Sequence, residues 1–240
     1  MYVLRAMLGL IAIVASGCLI GFDDNRLIGG RDAGSGGAAG ASSGAGDTPT
    51  VDMSTAAAAC NELSTYMPGQ SLTNWVEGRG SWLVATTAQG KALIQTDSSS
   101  GRHDRFFAWR DAYDVADTTV SAVVMLDGNP TDLNCVMARV VDAYNYYTLC
   151  VEEVGGRNGP ATLQWSVYSV LQGSENELAS APIPTAPAHS LQLRTQGAML
   201  LPTVDGVPQP AVSDDSLSDG SVGVATDNGG GFLSLCTGGP

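Results

Sequence analysis

Basic residues are scarce in this chain. Eleven Lys and Arg face 24 Asp and Glu, a net charge of −13, and Lys91 is the single lysine. Nucleic-acid binding draws most of its affinity from cations that neutralise phosphates, so that class is excluded. Association with an anionic membrane surface through a basic patch is disfavoured for the same reason. Charged residues make up only 15% of the chain and aromatics 6%. Glu and Lys are scarce, while Gly, Ser, Thr and Val are abundant. No stretch of about a dozen residues sustains a helical period. What is present falls into three parts: an apolar leader, a small-residue tract and a long β-patterned remainder.

Residues 1–17 carry one positive charge at Arg5, an apolar run from Ala6 to Ala15, and the small residues Ser16 and Gly17. These are the n-region, h-region and exit of a secretory signal, and the run is too short to span a bilayer. Ala15-Ser16-Gly17-Cys18 resembles the lipobox of bacterial lipoproteins, with Ala15 where Leu is usual. The resemblance implies cleavage before Cys18 and lipidation of that cysteine, a membrane partner through the anchor. Leu19 rather than Asp at the next position implies the outer membrane or cell surface of a Gram-negative bacterium. From Gly29 to Gly46, sixteen of eighteen residues are Gly, Ala or Ser. A tract of this composition cannot bury enough apolar area to offset its ordering entropy, so residues 18–59 are expected to be a flexible linker. Its r.m.s. reach is roughly 35 Å. Gly40 to Gly44 matches G-x-S-x-G by composition alone, since a nucleophile elbow needs a strand before it and a helix after it.

Residues 60–240 show period-2 apolar runs broken by turn chemistry about every ten residues. Strands are expected at 81–86, 92–96, 105–109, 118–126, 135–141, 144–154, 162–171, 190–195, 199–204, 220–225 and 232–236. The run Thr118 to Leu126 is dense enough in apolar residues to be read as buried on both faces. The fold class is all-β, a two-sheet antiparallel sandwich or jelly roll. Asn74 to Asp97 (NWVEGRGSWLVATTAQGKALIQTD), TTVSAVVML followed by VMARVVDAYNYYTLCV, and LLPTVDGVPQP with DDSLSDGSVGVAT together resemble concanavalin A-like, laminin-G-like domains. The resemblance covers nearly the whole of 60–240, and in that group Trp75 and Trp82 fall at buried positions.

With Cys18 assigned to lipid, Cys60, Cys135, Cys150 and Cys236 remain, and an even number in an exported chain implies disulfides with three pairings open. A hairpin centred on Asp142-Ala143 sets Cys135 opposite Cys150 and Arg139 opposite Tyr146 on one face. Cys60 and Cys236 then pair at the two ends of the domain, where the first and last strands of a jelly roll commonly lie side by side. Zinc is disfavoured by the absence of paired short spacings.

Catalytic signatures are missing. The six glutamates include adjacent Glu152 and Glu153, which point to opposite faces of a strand, and Glu175 and Glu177, which sit in a polar loop or edge. Neither makes the Glu-x-Asp-x-Glu arrangement that hydrolases of this fold carry. His103 and His189 are far from any strained serine, so a Ser-His-Asp site is not expected. Calcium is the one cofactor to weigh, at Asp127, Asn129, Asp132 and Asn134, whose oxygens suit a hard cation and whose residue types equally suit a turn. Asp214, Asp215 and Asp219 form a second acidic loop of the same status. Tyr146, Trp109 and Trp165 are the candidate sugar-stacking residues, with core packing as the competing role. Of adjacent Tyr146 and Tyr147, one is expected in the core and one exposed. The function expected is a non-catalytic binding or adhesion module for a glycan or a surface protein. A divergent glycan hydrolase using Asp, and a structural envelope protein without a small ligand, are the alternatives.

Overall fold

In the computed structural model, the described residues are 62–97, 105–126, 133–155, 162–227 and 230–238. A 3-10 turn at Glu62–Thr65 precedes fifteen strands: β1 (Trp75–Arg79), β2 (Trp82–Thr87), β3 (Gly90–Gln95), β4 (Phe106–Arg110), β5 (Thr118–Met125), β6 (Leu133–Asp142), β7 (Asn145–Val154), β8 (Thr162–Leu171), β9 (Ser174–Ile183), β10 (Ala188–Gln196), β11 (Met199–Val204), β12 (Val207–Pro208), β13 (Val212–Ser213), β14 (Ser221–Thr226) and β15 (Gly231–Gly238). They form two antiparallel sheets. One runs β1-β4-β14-β6-β7-β8-β9; the other runs β12-β11-β10-β5-β15-β3-β2, with β13 paired to β11. The all-β, two-sheet sandwich read from the sequence is the observed fold. Among the described residues no helix is long and apolar enough to cross a membrane.

Alternate residues of both sheets fill the space between them. Val136, Ala138, Tyr147, Leu149, Trp165 and Val167 come from the first sheet, and Val120, Ala122, Leu191, Leu193 and Phe232 from the second. Trp82 meets Phe232 with ring centroids 6.1 Å apart. Trp82 is buried as expected, whereas Trp75 is half-buried and packs on the margin of this core. β5 corrects the reading of burial on both faces: Thr118, Val120, Ala122 and Val124 are buried, and the residues between them are only half-buried. Its second face lies on the outer side of the sheet, where among the described residues no further layer covers it.

The hairpin of β6 and β7 is the structural hub. Cys135 pairs directly with Cys150 and the two are disulfide-bonded. The register expected from the sequence holds to Ala138↔Tyr147 and then shifts, reaching Asp142↔Asn145. Arg139 sits in that bulge at φ 48° and is 2% exposed, so it does not lie opposite Tyr146. Its guanidinium turns away to donate to the carbonyls of Ala116 (3.0 Å), Leu217 (2.7 Å) and Gly197. A bulge re-aims one side chain without disturbing the pairs before it. Here it exchanges a surface arginine for a buried one with three acceptors.

β1 and β9 were not expected as strands. β8 and β9 are joined by Gln172-Gly173, both at positive φ (53° and 77°), the conformation that a two-residue hairpin matched to strand twist demands. β9 is an edge strand, SENELASAPI, whose charges and Pro182 discourage further pairing.

Candidate functional site

The outer face of the seven-stranded sheet carries a second apolar cluster, separate from the inter-sheet core. Phe107, Leu133, Cys135, Met137, Val140, Tyr146, Cys150, Val170 and Ala225 form it, with Trp109 and Tyr168 packed at its margins. Phe107 is its centre: it stacks on Trp109 (5.8 Å, 28°) and meets Tyr146 (6.4 Å). Small residues make room for these rings. A Cβ on Gly78 would lie 1.9 Å from the Trp109 ring and 2.5 Å from Phe107, and one on Gly223 would lie 3.0 Å from the Trp109 Cβ. The aromatic strip therefore depends on glycines in the flanking strands β1 and β14.

Trp109 is half-buried, and it borders an open pocket of about 260 Å³. Arg110, Tyr113, Asp114, Val141 and Asp219 also line it, and Val141 is 56% exposed. Arg110 lies over the Tyr113 ring (5.3 Å) and reaches Glu62 Oε1 at 3.6 Å. Tyr113 in turn is fixed by its hydroxyl, which donates to the Gly238 carbonyl at 3.3 Å. The result is a polar-rimmed recess with one indole and one phenol ring on its walls. Such a combination suits a sugar, whose C–H faces stack on aromatics while its hydroxyls seek carboxylates.

A polar network occupies the other side of the same face. Glu152 Oε1 accepts from Gln164 Nε2 (3.0 Å), from Ser166 Oγ and from the Tyr168 hydroxyl (2.7 Å). The Tyr168 hydroxyl also lies 3.4 Å from Glu177 Oε2, so the two carboxylates are within about 6 Å of each other. The carboxylate spacing of retaining glycosidases falls within that limit. However, the tyrosine hydroxyl lies within hydrogen-bonding range of both, in the gap where a glycosidic oxygen would have to enter. Burial, reinforced by the bond to Glu152, pushes the Tyr168 hydroxyl well above its ordinary pKa, so it stays protonated and keeps donating. Arg105 completes the network, with Cζ 5.5 Å from the Tyr168 ring centroid and Nη2 3.0 Å from Glu175 Oε1. Burial likewise raises the Tyr146 hydroxyl, against the opposing charge of Arg105.

No protein-family model matches the chain, and no curated protein matches it in sequence. Among solved structures it is similar to the carbohydrate binding module CBM66 from Bacillus subtilis, with a TM-score of 0.54 and 20% identity over 70% of this chain and 97% of that one. It is also similar to the carbohydrate recognition domain of Emp47p, with a TM-score of 0.51 and 11% identity over 75% of this chain and 93% of that one. The shared fold is a two-sheet β-sandwich. At these identities the likeness is one of fold, and the chain spans nearly the full length of both structures.

Within that sandwich the expected site residues separate. Trp109 is the one stacking candidate that borders a pocket. Trp165 is 2% exposed in the inter-sheet core and presents no ring face to a ligand. Tyr146 is 4% exposed, so both tyrosines of the adjacent pair are buried: Tyr147 between the sheets, Tyr146 under the outer aromatic cluster. The alternation of faces was right, but the outer face is itself covered. Asp127, Asn129 and Asp132 lie outside the described residues, as do Cys18, Cys60 and His103. Asn134 is fully buried on β6, where Nδ2 donates to the Met125 carbonyl at 3.1 Å and Oδ1 has no hydrogen-bond partner among the described residues. Such an oxygen fits a cation ligand by chemistry, although no group of three His, Cys, Asp or Glu that could hold a metal occurs among the described residues.

The second acidic loop divides as well. Asp214 accepts from the Tyr147 hydroxyl (2.7 Å) and from the Ser216 N–H (2.8 Å). Burial alone would raise its carboxyl, but these donors outweigh it and hold it below the usual carboxylate range. The same pairing and burial push Tyr147 up to about 12. Asp214 is thus a half-buried partner that fixes the Tyr147 hydroxyl, while Asp219 lines the Trp109 pocket. His189 is buried against Asp205, with Nδ1 2.8 Å from Oδ2. Sequence reading missed Tyr113 and Asp114. The signal was there in WRDAYD, an alternation of rings and carboxylates where the expected strand stopped.

Proposed function

We propose that this chain is a lipid-anchored envelope or cell-surface protein whose β-sandwich, residues 60–240, binds carbohydrate without acting on it. The observation that carries the binding reading is Trp109, a half-buried indole at an open pocket shared with Tyr113, Asp114 and Asp219. Both similar solved structures are described as carbohydrate-binding or carbohydrate-recognition modules, which supports the same reading. Anchoring rests on Cys18 behind its apolar leader and on the small-residue tract that follows. Incorporation of a labelled fatty acid that is lost in Cys18→Ser tests it.

The binding reading is tested on a glycan array with the full chain and with Trp109→Ala. Glycan binding by the native chain is expected, falling at least roughly tenfold in the variant, because stacking on an aromatic wall carries much of a sugar's affinity. Thermal unfolding of both proteins checks that the fold survives. Retained binding by a folded Trp109→Ala removes the pocket as the site. Calcium at Asp127, Asn129, Asp132 and Asn134 is part of the same proposal, and repeating the array with a chelator tests it.

The hydrolase alternative has one observation in its favour, the approach of Glu152 to Glu177 through Tyr168. No release of reducing ends from a bound glycan is expected. Release that disappears in Glu152→Gln would replace the binding reading with an enzymatic one.

A further inference from the structure

Resting on the carbohydrate reading, we infer that the Trp109 pocket selects sugars bearing a free protonated amine, such as de-N-acetylated hexosamine units, over neutral and anionic sugars. The argument is a charge balance on the pocket wall. Arg110 is the one cation there among the described residues, and its charge is already matched: it approaches Glu62 Oε1 at 3.6 Å, donates to Thr237 Oγ1 and covers the Tyr113 ring. Asp114 and Asp219 are both exposed, and among the described residues neither has an ion-pair partner. Asp219 accepts one hydrogen bond, from the Ser218 hydroxyl at 2.9 Å.

The pocket therefore offers two uncompensated carboxylates beside an indole and a phenol. An ammonium group is attracted by the quadrupole of the Trp109 indole as well as by each carboxylate. An acetamido group keeps the shape of the amino sugar but loses that charge. A uronate or sulfated sugar brings a like charge into the recess and meets the field of a chain with net charge −13. The aromatic walls favour an organic ammonium over a hydrated metal ion, which would have to shed water against apolar surface.

The test is titration calorimetry of the full chain at low salt with four probes: a glucosamine oligomer, the N-acetylglucosamine oligomer of the same length, an oligogalacturonate, and cadaverine. The glucosamine oligomer should bind roughly tenfold more tightly than its acetylated counterpart, the combined size of two exposed charge contacts and a cation–π contact. Oligogalacturonate should be the weakest of the sugars. In the double variant Asp114→Asn, Asp219→Asn the ratio of the first two probes should fall to about one, the glucosamine oligomer losing far more affinity than its acetylated counterpart. Equal binding of the two hexosamine oligomers by the native chain overturns the inference, as does a ratio that survives the double substitution. Cadaverine binding as tightly as the glucosamine oligomer overturns the sugar part, leaving an amine site. If Trp109-dependent binding persists on the array while none of these probes binds, the amine selectivity fails alone. If the array shows no Trp109-dependent binding, the carbohydrate reading fails with it.

Discussion

Asp227 closes the junction between β14 and β6. Its Oδ1 accepts from the Leu133 N–H at 2.8 Å, and its own N–H donates to the Leu133 carbonyl at 3.2 Å. The residue is only 8% exposed. Burial is the dominant influence and raises its carboxyl to about 6, against the lowering effect of the Leu133 N–H, its own N–H and Arg105. An acid whose pKa is higher in the folded chain than in the unfolded one binds its proton more tightly in the native state. Its stabilising contribution is complete below about pH 4 and is lost as the pH rises through about 6, an effect on the order of 2–3 kcal/mol. Asp227→Asn keeps an oxygen for the Leu133 N–H and removes the titration. Urea unfolding across this range should show the variant and the native chain about equally stable in acid, with the variant ahead at neutral pH. A difference between them that does not change with pH would refute the assignment.

At the level of the strand, the aromatic strip is held by what β1 leaves out. A Cβ at Gly78 would meet the Trp109 ring at 1.9 Å, so Gly78→Ala must move the indole or the strand. It should weaken glycan binding several-fold without replacing any residue of the pocket wall, while the thermal midpoint drops by only a few degrees. Full affinity in Gly78→Ala would show that the indole position is unimportant. β1 also marks where sequence reading reached its limit. Strands with an alternating apolar face announced themselves: Thr162–Leu171 and Met199–Val204 were read with their observed bounds. β1 and β9 lie at the two edges of their sheet and bury little, so their residues WVEGR and SENELASAPI lack that pattern. The Cys135–Cys150 bridge was legible because pairing before the turn fixes it, whereas the bulge at Arg139 was not, since nothing in the sequence says that a buried set of carbonyls awaits a guanidinium. The site was half legible. Trp109 was one of three candidate rings, with nothing in the sequence to set it above Trp165 and Tyr146; Asp219 comes from a loop over a hundred residues away, and the Glu152–Tyr168–Glu177 contact needs the register of three neighbouring strands.

For the molecule as a whole, the two ends of the described domain meet. Glu62 Oε1 accepts from the Thr237 N–H at 3.2 Å and from the Thr237 hydroxyl, and Arg110 bonds the same hydroxyl. Cys60 stands two residues before Glu62, and Cys236, buried on β15, stands one before Thr237. Two residues span at most about 7 Å of chain, comparable to the Cα separation a disulfide requires. A Cys60–Cys236 bridge would therefore close a loop around nearly the entire sandwich at the point where the small-residue tract joins it. On the chain-entropy model such a loop contributes about 5 kcal/mol, against about 3 kcal/mol for the short loop between Cys135 and Cys150. Peptide mapping of the unreduced protein should yield both cross-linked pairs, and Cys60→Ser should lower the urea midpoint more than replacing Cys135 and Cys150 together. Alkylation of Cys236 in the unfolded, unreduced chain would show a thiol there instead. Glu62, Arg110 and Thr237 would then carry a polar link between the ends of the sandwich, and substitution of Glu62 by Gln would become the change that loosens it.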